Sequence, residues 1–464
     1  MSNNTTTVLP QLRTEAAKAF IDAVSDGDIQ LYFMLGRAHA WDSEVAPDTV
    51  AMDVKSHYEA WDSAFGLKKI AIADVGLVAN RVDWEKDTAY DEYDDDDATI
   101  YDSPRTFAVL DTDDLDIDNN KVYKVINNNS GGDSTVEPES DRTGVFGTPA
   151  VENDDDFDGY QWVVLYQIEA CDFEKFTTAD WMYVPSMSAA GTLGATACED
   201  AIPGSVHQVK VTTAGSGYTD GSHRLNITAV DSDGTGFSAD AVVVDGAITG
   251  VTILAAGQNY TRLALTMPTS AGTGTGETLR AIISPPGGHG SSPINELKPN
   301  ACMIVATVEG DTDSALTVTN DFRQYGIVAG PKLSSDDSIA TGETYDLSTH
   351  MTISSIANTS ADSTFTLDEW IYVGTALSTA TAKARVLEWK IGESTNLKII
   401  NIRGTFASGD TIKGDTSGTT ATIDTIDQQS TIDSGSGEFI YLANRTAVQR
   451  DSEQKEEFKM VISF

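Results

Sequence analysis

The residues best suited to chemistry in this chain are acidic. Asp154, Asp156 and Asp158 alternate and are followed by Gly159. That is the first half of a calcium loop, in which spaced carboxylates and a glycine turn wrap a hard cation. The twelfth position is Leu165 rather than Glu, and an apolar run begins where an exiting helix is needed. The sequence therefore favours a solvated acidic loop, with Asp154, Asp156 and Asp158 as weak calcium candidates. Asp111 to Asp118 is a second acidic run, without the glycine. The histidines are His39, His57, His207, His223, His289 and His350, and no two have the four-residue spacing with which a helix presents both to a metal. No Gly-x-Ser-x-Gly elbow and no phosphate-binding P-loop occur. GTGTGE at 272–277 is only superficially like a dinucleotide fingerprint, because it sits in a repeat of β-turns with no helix after it to present N–H groups to phosphate. Among 71 Asp and Glu, chance pairs spaced for glycoside hydrolysis are easy to find, and nothing singles one out. The expectation is no catalytic residue, no cofactor and no enzymatic activity.

The bulk properties exclude some partners. A net charge of −41 over 464 residues repels nucleic-acid phosphate and anionic membrane surfaces. The plain reading of so much acid is solubility. Cys171, Cys198 and Cys302 lie far apart, without the paired spacing of a disulfide framework or a zinc site, which fits synthesis in a reducing cytoplasm. No apolar run approaches the length of a membrane span, and MSNNTTTVLPQLR lacks a basic-then-apolar signal pattern. Neither nucleic acid nor membrane insertion is expected.

The elements that must position these residues are mostly strands. Residues 9–24 read as an amphipathic helix and 29–36 as a buried strand; Asp48 reads as the cap of a second helix over about 49–65. Strands follow over 67–82, 106–110, 121–126, 159–168 and 178–187, with Trp84 and Trp162 read as core. After Met187 aromatic and acidic residues thin out. VKVTTAGSGYT (209–219) and GTGFSADAVV (234–243) recur as VTILAAGQNYT (251–261) and GTGETLRAII (274–283), a unit of about 40 residues used twice. Apolar runs at 301–308 and 322–328 return to the earlier style. A second low-aromatic block repeats Thr364-Phe365 as Thr405-Phe406, Ile371 as Ile412 and Gly374 as Gly414. The last stretch, 437–464, alternates apolar residues with period two and ends on Phe464, which predicts a terminal strand paired back to the first third. The fold class is mainly β with a few helices, an α+β core that is discontinuous. Its parts are 1–198, 286–333 and 437–464, with β-rich repeat modules inserted at 199–285 and 334–436.

The ordered core stretches resemble the baseplate wedge protein of T-even-type contractile-tailed bacteriophages, the dimeric subunit near the wedge periphery. The matching pieces begin with Gly36-Arg37 and Trp41, then the helix carrying Trp61, Arg81-Val82-Asp83-Trp84, and Val122-Tyr123-Lys124. Gly159-Tyr160-Gln161-Trp162, Leu165 to Ile168, and Tyr183-Val184-Pro185 follow. Last come Phe322-Arg323-Gln324 with Ile327 and Pro331, and Ile440-Tyr441 through Asn444-Arg445. The repeat blocks lie outside the resemblance, and Thr446-Ala447 stand where the family has prolines. The resemblance implies a β-rich multidomain fold with a few helices, a homodimer, and contacts to other baseplate wedge proteins. It implies a virion protein of the tail baseplate, assembled in the host cytoplasm, that takes part in triggering sheath contraction. A rival reading is a glycan-binding adhesin or polysaccharide depolymerase at the tail periphery, with Trp and Tyr lining a sugar groove.

Overall fold

The computed structural model describes residues 9–51, 53–102, 104, 106–112, 120–138, 158–187, 193–310, 316–358, 364–389 and 396–464. The protein is mainly β, with five α-helices among the described residues. Two compact units are each built from separate stretches of chain. One comprises Met1–Ala19, Gly76–Met303 and Val461–Phe464, the other Phe20–Val75 and Ile304–Met460.

The second unit holds a five-stranded antiparallel sheet in the order Thr344–Asp346, Ala64–Lys69, Leu31–Gly36, Phe322–Ala329, Glu438–Val448. Every residue of Leu31–Gly36 is buried, because this near-continuous apolar run is covered on both faces. Phe33 lies across from Ile327, and Tyr325 across from Ala443. On one face Tyr32, Met34, Leu67 and Val328 pack with Trp61 and Phe439. Phe458 packs beside Phe33, Tyr325 and Phe322, with ring centroids 4.7, 5.0 and 5.9 Å away. The helix that carries Trp61 spans Val54–Ser63 and is capped by Asp53, whose carboxylate accepts from the Ser56 N–H at 2.8 Å. The expected cap, Asp48, lies outside the helix, and its carbonyl accepts from Asn444 at 2.8 Å instead.

The same unit contains a closed six-stranded barrel over residues 349–428. Its core joins Phe365 with Phe406 and Ile371 with Ile412, the pairs that recur in the sequence. Trp370–Val373 and Thr411–Gly414 are equivalent strands of the two copies and pair with each other, so that Tyr372 faces its own counterpart Lys413. The barrel is therefore pseudo-two-fold. The flanks of the block expected at 334–436 belong to the neighbouring sheet: Thr344–Asp346 is its edge strand, and Ala340 and Ile432 are in its core.

In the first unit, Ala108–Asp111, Asn120–Asn128 and Tyr160–Ile168 form a three-stranded sheet. Tyr90, Val109, Tyr123, Val125, Tyr160 and Val164 are buried on it. Trp84 and Trp162, read as core, pack half-buried against this cluster. A four-stranded sheet has the order Lys455–Ser463, Ala301–Glu309, Val75–Asn80, Trp181–Tyr183.

The terminal strands correct one expectation. Lys455–Ser463 pairs with the middle segment Ala301–Glu309, and the strand from the first third lies one place further in. Likewise Glu438–Val448 pairs with Phe322–Ala329. The middle strands are buried almost throughout, whereas the terminal ones are largely half-buried or exposed, so the former occupy central places and the latter edges. The Phe464 N–H donates to the Asn300 carbonyl at 2.9 Å.

The first repeat block has its own core, from Val206 to Ala281. Each of its two long ladders takes one strand from each copy: Val206–Tyr218 pairs with Gly272–Ile283, and Thr235–Val244 with Ala247–Gln258. The tyrosines interlock the copies. Tyr218 lies on Gly274 of the other copy's GTG turn, and Tyr260 on Gly234, where a Cβ would collide with the ring.

Both blocks enter and leave through strands that pair with each other, Val206 opposite Ile283 and His350 opposite Gln428. Replacing 351–427 by a two- or three-residue turn should therefore leave a folded remainder. Far-UV circular dichroism should retain one cooperative melt, and an aggregated product would show that the barrel is needed for folding.

Candidate functional site

In the second unit, residues that carry the resemblance meet at one end of the five-stranded sheet. The strand Leu31–Gly36 ends in Arg37, whose φ of 54° is left-handed and turns the chain. The Arg37 guanidinium lies 3.4 Å from the centroid of the Trp41 ring. Trp41 Nε1 donates to the Arg445 carbonyl at 2.8 Å, and Arg445 Nη2 to the Tyr325 hydroxyl at 3.0 Å. Gln324 Nε2 donates to Asn444 Oδ1 at 2.7 Å. Arg323, buried, donates from Nε to Glu44 at 2.9 Å and from Nη1 to the Ala38 carbonyl. Hydrogen bonds thus join positions from 38 to 445, and Arg37 adds a ring contact. Such a network fixes loop geometry at the sheet end by satisfying groups that burial would otherwise strand.

The first unit contains a buried charge cluster that the sequence did not single out. Lys124, on Asn120–Asn128, is wholly buried and 2.5 Å from Glu296 of the Pro293–Leu297 helix. Its Nζ is also 3.0 Å from His289 Nδ1 and 3.7 Å from the Tyr93 ring centroid. Glu296 accepts in addition from the Gly290 N–H at 2.6 Å. His207, at the start of the first repeat block, faces His289 with ring centroids 5.6 Å apart. Burial, followed by the Lys124 charge, pushes His207 down to about 4, and the same two causes hold His289 well below the usual imidazole range. The cluster ties the repeat block to the sheet beneath it.

A second set of charges has the same effect. Lys210 and Arg280 are opposite each other on the block's outer ladder. Lys210 reaches Glu92 and Asp94, both at 2.8 Å, and Arg280 reaches Asp94 and, at 2.5 Å, Asp95. Burial pushes Asp94 up, but bonds from Lys210, the Asp96 N–H and Arg280 outweigh it and hold the carboxyl at about 2. Part of the acid read as solvating is therefore a docking surface for two cations.

Of the calcium candidates, Asp154 and Asp156 lie outside the described residues. Asp158 uses Oδ2 to accept from Thr135 N, Val136 N and Ser134 Oγ at 2.8, 3.1 and 3.1 Å, and Oδ1 from Tyr160 N at 3.0 Å. It pins a turn to the start of a strand, and its oxygens are taken up by N–H and O–H donors. GTGTGE opens the strand Gly272–Ile283, and Glu277 accepts from the Tyr218 hydroxyl. All seven tryptophans are buried or half-buried. No protein-family model matches the chain, and no curated protein matches it.

The buried pair sets a cost. Lys124→Met should destabilise by about 3–5 kcal/mol, because Glu296 is left buried without its cation. Lys124→Met with Glu296→Leu should lose less than the single change, as read from urea denaturation.

The histidines set a pH dependence. Unfolded, they take up protons near pH ~6.5. Folded, they stay neutral until the pH approaches about 4 for His207. Between these values the unfolded chain binds protons that the folded one refuses, so stability falls as pH falls. Urea midpoints should drop across this range, and His207→Gln should reduce the drop.

Proposed function

We propose that this protein is a structural subunit of a contractile phage tail baseplate wedge. In this reading it is a homodimer that holds neighbouring wedge proteins in one arrangement. Host contact shifts that arrangement to another, and the shift starts sheath contraction. Such a switch needs interfaces with two packings of similar free energy. The observation that carries the reading is the network at the end of the five-stranded sheet. Arg37, Trp41, Arg323, Gln324, Asn444 and Arg445 belong to the stretches that resemble the wedge family, and they are joined there directly or through shared neighbours. Residues that maintain a loop geometry across 400 positions of sequence suit a scaffold. The two β blocks, each closed by its own first and last strands, suit additions borne on such a scaffold.

Light scattering on the purified protein should give about twice 49.5 kDa. Antibody raised against it should label the tail end of intact particles in electron micrographs. A monomer with no label on tails would overturn the reading, and turnover of a capsular polysaccharide would replace it with the depolymerase.

A further inference from the structure

In a chain of net charge −41, two arginines of the second unit sit near carboxylates, Asp42 and Glu59 for Arg37 and Asp368 for Arg385, without closing an ion pair among the described residues. Arg37 lies over Trp41, and Arg385 lies 4.6 Å from the Trp370 ring centroid. Neither guanidinium is ion-paired among the described residues. Arg37 Nε is buried with no hydrogen-bond partner, and so is His39 Nδ1. Arg385 Nη1 donates to the Asp368 carbonyl at 2.6 Å. The start of the strand Phe322–Ala329 lies between the neighbours of the two arginines, and the Arg385 charge acts on Arg37. Arg323 bonds the Ala38 carbonyl, and Asn320 donates to the Asp368 carboxylate at 2.9 Å. Glu44 and Asp321 are both taken up by Arg323, and Asp62 by Arg403.

Stacking on an indole holds a guanidinium flat while its edge N–H groups remain directed outward. Two such edges beside an imidazole match an oxyanion, whose oxygens accept paired N–H bonds. Burial and then the charges of Arg37, Arg385 and Arg323 push His39 down to about 4, so it is a neutral ring at neutral pH. A neutral imidazole donates one hydrogen bond to an anion without adding to the repulsion among the arginines.

We propose that Arg37, His39 and Arg385 form a binding site for an oxyanion, a carboxylate or a phosphate. This assignment is independent of the baseplate reading, because it rests on unpaired cations and orphaned donors rather than on the resemblance.

Calorimetric titration of the full chain with inorganic phosphate and with succinate, at constant ionic strength against chloride, tests it. Saturable binding of at least one is expected. Arg37→Gln and Arg385→Gln should each weaken it by about tenfold or more, the loss of one charged hydrogen bond. Arg224→Gln, on the first repeat block, should leave it unchanged. Tighter succinate would identify a carboxylate as the preferred group, and tighter phosphate a phosphate. Absence of saturable heat with both anions in the wild type overturns the proposal without reliance on any variant. So does binding that survives Arg385→Gln undiminished.

Discussion

The strand Phe322–Ala329 is hydrogen-bonded on one edge to Leu31–Gly36 and on the other to Glu438–Val448. One short middle segment therefore holds together stretches from both ends of the chain. It can do so because seven of its eight residues are buried. Gly326 allows the closest approach, since a Cβ there would lie 2.5 Å from the Tyr441 carbonyl. Phe322 and Tyr325 then meet Phe458, which also packs on Phe33. Removing any of these strands would expose both an unpaired ladder edge and an aromatic face, two costs that add.

A sheet assembled from segments so far apart has to tolerate what lies between them. The two repeat blocks solve this in the same way. Each begins and ends on paired strands, so its ends emerge side by side, and the surrounding chain sees little more than a short turn. The internal repeat supplies symmetry in both: in the barrel equivalent strands pair, while in the first block each long ladder joins non-equivalent strands of the two copies and each tyrosine rests on the other copy's glycine. Neither copy closes its core alone, so the two copies of each block form one structural unit.

Charge plays two distinct parts. Most of the acid gives the surface its net charge. Glu92, Asp94 and Asp95 instead receive Lys210 and Arg280, and Glu296 neutralises a lysine inside the protein. Buried pairs of this kind add little net stability, but they penalise any arrangement in which the partners separate. The Lys210 and Arg280 pairs, with the His207–His289 contact, fix where the repeat block sits on its neighbouring sheet.

Period-two alternation, the shift in composition after Met187 and the two duplications were enough to identify a mainly β chain with two repeat blocks. These features are local, and local features survive in a string of residues. Asp48 and Asp53 are both good cap residues in the sequence; in the fold Asp53 caps Val54–Ser63, and the Asp48 carbonyl is bonded by the distant Asn444. The charge sites were less legible. Lys124 and Glu296 are 172 positions apart, Arg280 and Asp94 186, and nothing in either neighbourhood marks the other. Strand character follows from side chains that alternate within one segment. Which segments become central, which acids meet a cation and which arginines are left without one follow only from packing, because burial is a property of the assembled chain.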